Sequence, residues 1–232
     1  MLIWIMYAIH PTPACAQELV TEDSPPMNMT QDGKVVGIST DKLLEAFRRI
    51  GRHPHIQLIP WSRAYQLTLD NPDYCAYSTA RTAERETLFK WVGPLASDRW
   101  ILYTQADNHD KVAKIEDVKN ELIGAQGKGA LAMWLSARGY RIDPTPYDNL
   151  NPAKLLKGRF KYWVSTEAHS RLILAQQELS DQVVPVMTFG GSDLYLACNL
   201  AMSNEVVHLL NHILQQMKQD GSSAVIEKKY TH

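Results

Sequence analysis

Charge of one sign, long apolar runs and cysteine are all scarce in this sequence, and each scarcity excludes a class of protein. There are 24 Lys and Arg against 25 Asp and Glu, so the chain lacks the basic surplus typical of nucleic-acid binders. No apolar run reaches the ~18–20 residues that span a bilayer. Three cysteines are too few for a disulfide framework. Because 45% of the 232 residues are apolar, we expect a globular protein with a sizeable core.

The first sixteen residues form a separate segment. Residues 1–16 contain no Asp, Glu, Lys or Arg, and 1–9 are an apolar stretch too short to cross a membrane. Positions 14–16 read Ala-Cys-Ala, a small-x-small cleavage pattern, so we predict a signal peptide over 1–16. The usual basic start is missing, which suggests a truncated signal or a start further upstream. A buried N-terminal element and a lipid-modified Cys15 are the alternatives.

Export implies an oxidising compartment, in which Cys75 and Cys198 could form a disulfide. The sequence does not show whether the two side chains lie within bonding distance of each other. Two buried free thiols are the interpretation that we favour at this point.

Short apolar strands alternate with amphipathic helices along the remaining chain. Thr40–Ile50 and Asn204–Lys218 have apolar residues at helical spacing, whereas Trp100–Gln105 is typical of a strand. This alternation predicts an α/β architecture with mostly parallel sheets. The polar stretch Ala106–Lys114 and the Gly-rich stretch Thr188–Ser192 are predicted to link two lobes.

Enzyme motifs are mostly absent, since there is no GxSxG elbow, Walker loop, HExxH or CxxC. Gln126 and Lys128 lie in a Gly-rich turn between a predicted strand and helix, where backbone N–H groups could face an anion. A plain strand-to-helix turn is the alternative. His53 and His55 are a poor basis for a metal site, so no metal and no cofactor are predicted.

The run Tyr77–Glu86 is the most informative part of the sequence. A predicted strand ends at Ser78 and Thr79, and two arginines, Arg81 and Arg85, follow four residues apart. The fork of an arginine suits bidentate capture of a carboxylate, and ligands of α/β proteins bind beyond the carboxyl ends of strands. A surface turn with Arg–Glu ion pairs is the alternative.

The order of these features resembles the extracytoplasmic solute-binding protein family 3, which includes amino-acid-binding proteins of ABC transporters. The resemblance covers nearly all of residues 18–230 and depends on the order and spacing of several segments, not on one motif. These segments are Glu22–Met27, Gly33–Gly37, Pro60–Tyr65, Ala80–Glu86, Phe89–Leu95, Leu194–Cys198, Met217–Gly221 and Lys229–Tyr230.

The resemblance implies a two-lobed periplasmic-binding-protein-like fold, in which each lobe is a mostly parallel sheet flanked by helices. Lobe I would comprise residues 17–105 plus 190–232, and lobe II residues 106–189. Two hinge crossings would join the lobes, and a ligand would be held in the cleft between them while the lobes close.

The resemblance also implies roles for particular residues. Arg85 matches the arginine of the family's Thr-x-x-Arg element, which grips the ligand's carboxylate, and Arg81 is a second basic residue of undetermined orientation. Trp61 could stack on the ligand, Glu22 could accept a hydrogen bond from an ammonium group, and Arg63 could contact an anion. A packed aromatic residue, a solvated acid and a surface charge are the respective alternatives.

The chain departs from the family pattern at two positions. Thr166 stands where amino-acid-binding members carry an Asp that pairs with the ligand's amino group, and the adjacent Glu167 is a possible substitute. Ala80 replaces a small hydroxyl residue that often contacts the carboxylate. A dicarboxylate, an opine-like molecule or another small anion therefore fits at least as well as an amino acid.

The sequence thus predicts a monomeric periplasmic solute-binding protein that delivers a small polar or anionic ligand to an ABC-transporter permease. It is not expected to be an enzyme. Two alternatives stay open: a periplasmic enzyme on the same fold, similar to the cyclohexadienyl dehydratases, and a sensor or orphan binding module without a transport role.

Overall fold

The computed structural model describes residues 17–230, and the predicted signal peptide lies outside the described residues. The predicted α/β fold is confirmed. The strands are β1 Glu18–Thr21, β2 Met29–Gln31, β3 Lys34–Val36, β4 His55–Leu58, β5 Tyr74–Ala80, β6 Lys90–Gln105, β7 Leu122–Gln126, β8 Arg141–Thr145, β9 Tyr162–Thr166 and β10 Val183–Cys198. The helices are α1 Ile38–Arg49, α2 Trp61–Asp70, α3 Ala130–Ala137, α4 Asn151–Leu156, α5 Glu167–Gln176, α6 Asn204–Gln219 and α7 Ser222–Lys228.

Eight strands form one sheet in the order β4-β1-β5-β10-β6-β9-β7-β8. The strands pair in parallel within each outer set, β4-β1-β5 and β9-β7-β8. The long strands β6 and β10 run antiparallel to each other through the middle of the sheet. Each of these two strands has 16 residues, which is enough to belong to both halves of the molecule.

The buried apolar side chains fall into two groups that match the two ends of the sheet. One group comes from residues 19–95 and 194–226, and the other from residues 100–183. The chain therefore passes from one core to the other within β6 and returns within β10. The predicted lobe boundaries stay a prediction, which this distribution favours.

The two predicted links have different structures. Thr188–Ser192 is extended and pairs within β10 against β6, so this stretch is part of one continuous strand and not a separate link. Ala106–Lys114 follows β6, and the N–H of Ala106 donates to the carbonyl of Gln182, the residue before β10. The passage between the two cores on the first crossing thus lies upstream of Ala106.

Cys75 in β5 and Cys198 in β10 form a disulfide, so the expectation of two free thiols is wrong. The two residues are direct partners in the antiparallel pairing of these strands. Both are fully buried in the core of the first lobe. Sequence alone could not show this, because 123 positions separate the two cysteines.

Among residues 17–230, no helix has the length and apolar character needed to cross a membrane.

Candidate functional site

A cavity lies where the two halves of the molecule face each other. The space open to the centre of a water-sized molecule is about 80 Å³, several times the ~10–15 Å³ that one water needs. The cavity is therefore suited to a small solute. Its charged and polar lining residues include Glu22, Asn28, Ser78, Arg85, Asp98, Gln126, Asp148, Thr166 and His169, and its aromatic lining residues are Trp61 and Trp100.

Arg85 is the cation of this cavity, and its side chain is almost completely buried, with 1% of the residue exposed. Its Nη1 donates to the carbonyl of Ala80 at 3.3 Å, and its Nη2 donates to the carbonyl of Lys128 at 2.7 Å. The rings of Trp61 and Tyr65 lie 5.4 and 5.0 Å from the guanidinium carbon. These contacts are all neutral.

The described part of the chain gives Arg85 no carboxylate partner within ion-pair distance, and its buried Nε has no hydrogen-bond partner. Burial lowers the pKa of Arg85 to about 10, so the guanidinium is still charged at neutral pH. A buried charge without an ion partner is costly unless another group neutralises it. The arrangement is therefore suited to receiving an anion from outside.

Arg81 has the opposite environment, although only four residues separate it from Arg85. It is exposed and forms two hydrogen bonds with Glu86, at 2.8 and 2.5 Å. Its guanidinium also lies over the rings of Trp91 and Tyr195. Arg85 lines the cavity and Arg81 does not. Of the two arginines, Arg85 is therefore the one that faces the cleft, a question that the sequence left open.

The turn between β7 and α3 brings the second lobe onto Arg85. Lys128 has a left-handed backbone conformation with φ of 58°, which is uncommon for a residue with a side chain. Its carbonyl oxygen accepts hydrogen bonds from Arg85 and from Nε1 of Trp61, the latter at 3.0 Å. The Lys128 ammonium points elsewhere and donates to the Gln66 side chain. A carbonyl, not an N–H group, is thus the turn's contact with Arg85.

The opposite side of the cavity is acidic. Gln126 of lobe II donates to Glu22 of lobe I at 2.7 Å, which joins the two lobes. Burial raises the pKa of the Glu22 carboxyl, while nearby His169 and the hydrogen bond from Gln126 counteract this rise. Asp148 is buried and accepts from Asn151, Trp163 and Ser165, at 2.6–2.8 Å. Glu22 thus retains more free hydrogen-bonding capacity than Asp148.

A third carboxylate, Asp98, comes from β6 between the two cores. Its Oδ1 accepts from the backbone N–H groups of Arg99 and Ala168, at 2.8 and 3.3 Å. The side chain of Thr166 also donates to Asp98, and burial raises the pKa of this carboxyl. Asp98 therefore ties the crossing strand to the beginning of α5, at the position where the sequence lacks the expected Asp.

Of the eleven sequence-predicted binding residues, the structure brings six together around the cavity. These are Glu22, Trp61, Ser78, Arg85, Gln126 and Thr166. Ser78 donates to the side chain of Asn28 and has a positive φ of 53°, within β5, where the pairing with β10 is irregular. The binding roles of these six residues stay predictions.

The other five predicted residues lie outside the cavity lining. Arg63 is exposed on α2, and Thr79 is buried in the sheet, where its hydroxyl donates to the carbonyl of Ala76. Glu167 forms ion pairs with Arg99 and Arg171 on the outer surface. Arg81 and the Lys128 side chain have the contacts described above.

Sequence reasoning missed several lining residues, among them Asn28, Asp98, Trp100, Asp148 and His169. No local motif marks them, because they come from separate parts of the chain, and only Asp98 and Trp100 share a strand, β6. No sequence signal marks Asp148, because two of its three donors, Trp163 and Ser165, lie on β9. Among residues 17–230, no cluster of three or more His, Cys, Asp or Glu could hold a metal ion.

Solved structures of similar fold show that this protein has the fold of the periplasmic binding proteins. A histidine kinase sensor domain with similarity to periplasmic binding proteins is 18% identical, covers 93% of this chain and 96% of its own, with a TM-score of 0.82. An ancestral arginine-binding protein bound to glutamine is 20% identical over 93% and 97%, with a TM-score of 0.77. The substrate-binding protein of an amino-acid ABC transporter is 16% identical over 93% and 98%, with a TM-score of 0.74.

The family follows from the sequence match. The model of the family described as bacterial extracellular solute-binding proteins, family 3, matches residues 18–232, almost the whole chain. The chain therefore belongs to this family, as its resemblance indicated. A search of the curated protein sequences finds no match.

Proposed function

We propose that this protein is an extracytoplasmic solute-binding protein that captures a small solute bearing a carboxylate in the interlobe cavity. The observation that carries the proposal is the buried Arg85 guanidinium, which has neutral partners and a free Nε in the described chain. Binding a carboxylate there would satisfy the free donor and neutralise the buried charge. The solute would be enclosed by contacts from both lobes.

Delivery to an ABC-transporter permease is the role that we propose for the bound solute. Membership of the family supports binding, and one related structure is the substrate-binding protein of an amino-acid ABC transporter. A periplasmic location fits the predicted signal peptide and the Cys75–Cys198 disulfide, because disulfides persist in oxidising compartments. We propose that the protein acts there as a monomer.

Sensing is the second candidate function, and the likeness to a histidine kinase sensor domain favours it. In that case closure of the lobes would be transmitted to a partner and no solute would be released to a permease. The binding chemistry at Arg85 would be the same.

The dehydratase-like alternative would need a general acid beside Arg85. Of its two sequence candidates, Glu22 lines the cavity and Glu167 does not.

A thermal-shift screen of the full chain tests the proposed binding. The panel contains amino acids, dicarboxylates, opines and prephenate, and it is run on the wild type, Arg85→Ala and Arg81→Ala. We expect at least one carboxylate to raise Tm in the wild type and in Arg81→Ala, because it binds the folded state selectively. The shift should vanish in Arg85→Ala.

An equal shift in Arg85→Ala would contradict the role of Arg85, and no shift with any compound would contradict the capture of a small carboxylate. Turnover of prephenate by the wild type would favour the enzyme alternative.

A further inference from the structure

Three of the four buried tryptophans among residues 17–230 donate their indole N–H to an acceptor. Trp61, Trp91 and Trp163 each donate at a distance of 2.8–3.1 Å. The fourth, Trp100, is only 5% exposed, and its Nε1 has no hydrogen-bond partner in this part of the chain. Such a group is uncommon, because a buried N–H has lost its hydrogen bond to water. The indole N–H of Trp100 is therefore a donor that is free for a solute.

Trp100 lies on β6 and lines the interlobe cavity. In the sheet, β6 pairs with β10 on one side and with β9 on the other. A Cβ atom placed on Gly190 of β10 would meet Cε3, Cδ2 and Cζ3 of Trp100, at 3.1–3.7 Å. These carbons lie on the opposite side of the indole from Nε1. The free N–H is therefore directed away from β10 and towards the β9 side.

The β9 side of Trp100 belongs to the interlobe cavity. Val164 and Thr166 at the end of β9 line this cavity. Trp100 also borders a second, outer groove beside Arg81 and Arg138, but β9 contributes no lining residue to that groove. The free N–H thus faces the space into which Arg85 also projects.

Aromatic packing holds the indole of Trp100 in place. Its ring centroid lies 5.5 Å from that of Trp134, nearly edge to face, and 6.1 Å from that of Phe189. The close approach of Gly190 supports the ring on its carbon edge. The donor therefore has a fixed position before a solute arrives, so little conformational entropy is lost when it binds.

The charges around the cavity restrict the acceptor that a solute can offer to Trp100. Asp98 lies two residues before Trp100 on the same face of β6, and its carboxylate accepts from two backbone N–H groups. Asp148 and Glu22 also line the cavity and accept from the groups described above. A second carboxylate on the solute would be repelled by these acids, whereas an uncharged oxygen would not.

Resting on the proposed function, we propose that Trp100 makes the site specific for a carboxylate that carries an uncharged oxygen acceptor, a hydroxyl or a carbonyl. The solute's carboxylate binds Arg85, and its second oxygen accepts a hydrogen bond from Nε1 of Trp100. A solute without this oxygen leaves the indole N–H buried and unpaired, so the site discriminates against it.

Four-carbon acids that differ in one substituent test this specificity. The probes are butanoate, its 2-, 3- and 4-hydroxy derivatives and succinate, and the dissociation constants are measured by calorimetry on the full chain. We expect at least one hydroxybutanoate to bind about tenfold more tightly than butanoate, because it satisfies the buried donor. Succinate should bind more weakly than that hydroxybutanoate, since its second carboxylate meets the acids.

Two matched variants test the residue. Trp100→Phe keeps an aromatic ring and removes the N–H, so the hydroxybutanoate should lose its advantage over butanoate. Trp134→Phe changes the neighbouring ring, which does not line the cavity, and should keep that advantage. The NMR signal of the Trp100 indole N–H, identified by its absence in Trp100→Phe, should also shift with the hydroxybutanoate and less with butanoate.

The role of Trp100 would be overturned if no hydroxybutanoate binds, if none binds more tightly than butanoate, or if the advantage persists in Trp100→Phe. If butanoate or another carboxylate still binds and depends on Arg85, the proposed function stands without it. Binding that is unaffected by Arg85→Ala would overturn the proposed function itself.

Discussion

Arg81 and Arg85 are the same residue type, four positions apart, and the structure gives them opposite environments. Arg81 is exposed, and its hydrogen bonds with Glu86 raise its pKa and lower that of Glu86. Arg85 is buried, its hydrogen bonds go to carbonyl groups, and burial lowers its pKa to about 10 although the charges of Glu84 and Glu22 oppose this. An arginine whose charge is already paired has few free donors for a ligand. A buried arginine with a free N–H group and no ion partner can still bind an anion. The missing partner, more than the residue type, marks the candidate site.

The largest effect on carboxylate affinity is expected when the guanidinium of Arg85 is replaced by the ammonium of a lysine. Arg85→Lys is expected to weaken binding of the carboxylate found in the screen by about 2 kcal/mol, because lysine keeps the charge and loses the planar fork. Arg81→Lys should leave the affinity within about twofold, since exposed pairs contribute little. Calorimetry on both variants checks this prediction. Equal losses would mean that the two arginines act together.

The cost of burying Arg85 can be measured without a ligand. Arg85→Met removes the buried charge at similar length, so we expect it to raise the free energy of unfolding by about 1 kcal/mol. Arg81→Met should lower it by less than ~1 kcal/mol. Urea unfolding of the ligand-free proteins gives both values. A large loss in Arg85→Met would show instead that the bonds to the carbonyls of Ala80 and Lys128 stabilise the fold.

Each arginine lies beside a tryptophan, which provides a matched pair of milder changes. Trp61→Phe keeps an aromatic ring near Arg85 but removes the N–H that donates to the Lys128 carbonyl across the lobes, so binding should weaken by about 1 kcal/mol. Trp91→Phe removes a comparable bond to the Glu86 carbonyl beside Arg81. Its affinity should equal that of the wild type. A loss of affinity in Trp91→Phe alone would reverse the assignment.

The smallest effect is expected at the exposed pair. Because the hydrogen bond from Arg81 lowers the pKa of Glu86 below its ordinary value of 4.5, this pair stabilises the fold above that pH. The contribution is lost as pH falls through the lowered pKa. Glu86→Gln should therefore cost a few tenths of a kcal/mol at pH 7, less in high salt. The difference from the wild type should disappear in acid, and a difference that grows on acidification would contradict this.

The sequence predicted the elements whose signals are local and complete. Helices such as α2 and α6 have amphipathic spacing, and β5 ends at Ala80, one residue after the predicted strand end at Thr79. The beginning of β6 was missed because Gly93 and Pro94 are typical of a break, although both lie within the strand. The hairpin β2–β3 was missed as well, since three residues give no periodicity.

The predicted lining residues are those that a local feature or the family resemblance marks. The strand end marked Ser78 and the Gly-rich turn marked Gln126, and the resemblance added Trp61 and Glu22. Asp98 and Asp148 belong to the cavity through tertiary packing that no spacing records. The same reason explains the cysteines, whose pairing depends on the register of β5 against β10. It also explains Arg85, whose contacts with Trp61 and Lys128 lie on other elements. The partner of Arg81, by contrast, is Glu86 in the same segment, a local ion pair of the kind that the sequence left open as an alternative.

The most direct test of the central claim is NMR of the arginine side-chain Nε–H groups during titration with the carboxylate found in the screen. The Nε–H signal that is absent in Arg85→Lys should shift strongly on binding, because the free donor gains an anionic acceptor. The signal that is absent in Arg81→Lys should not move. A shift of the Arg81 signal, with that of Arg85 unchanged, would contradict the account.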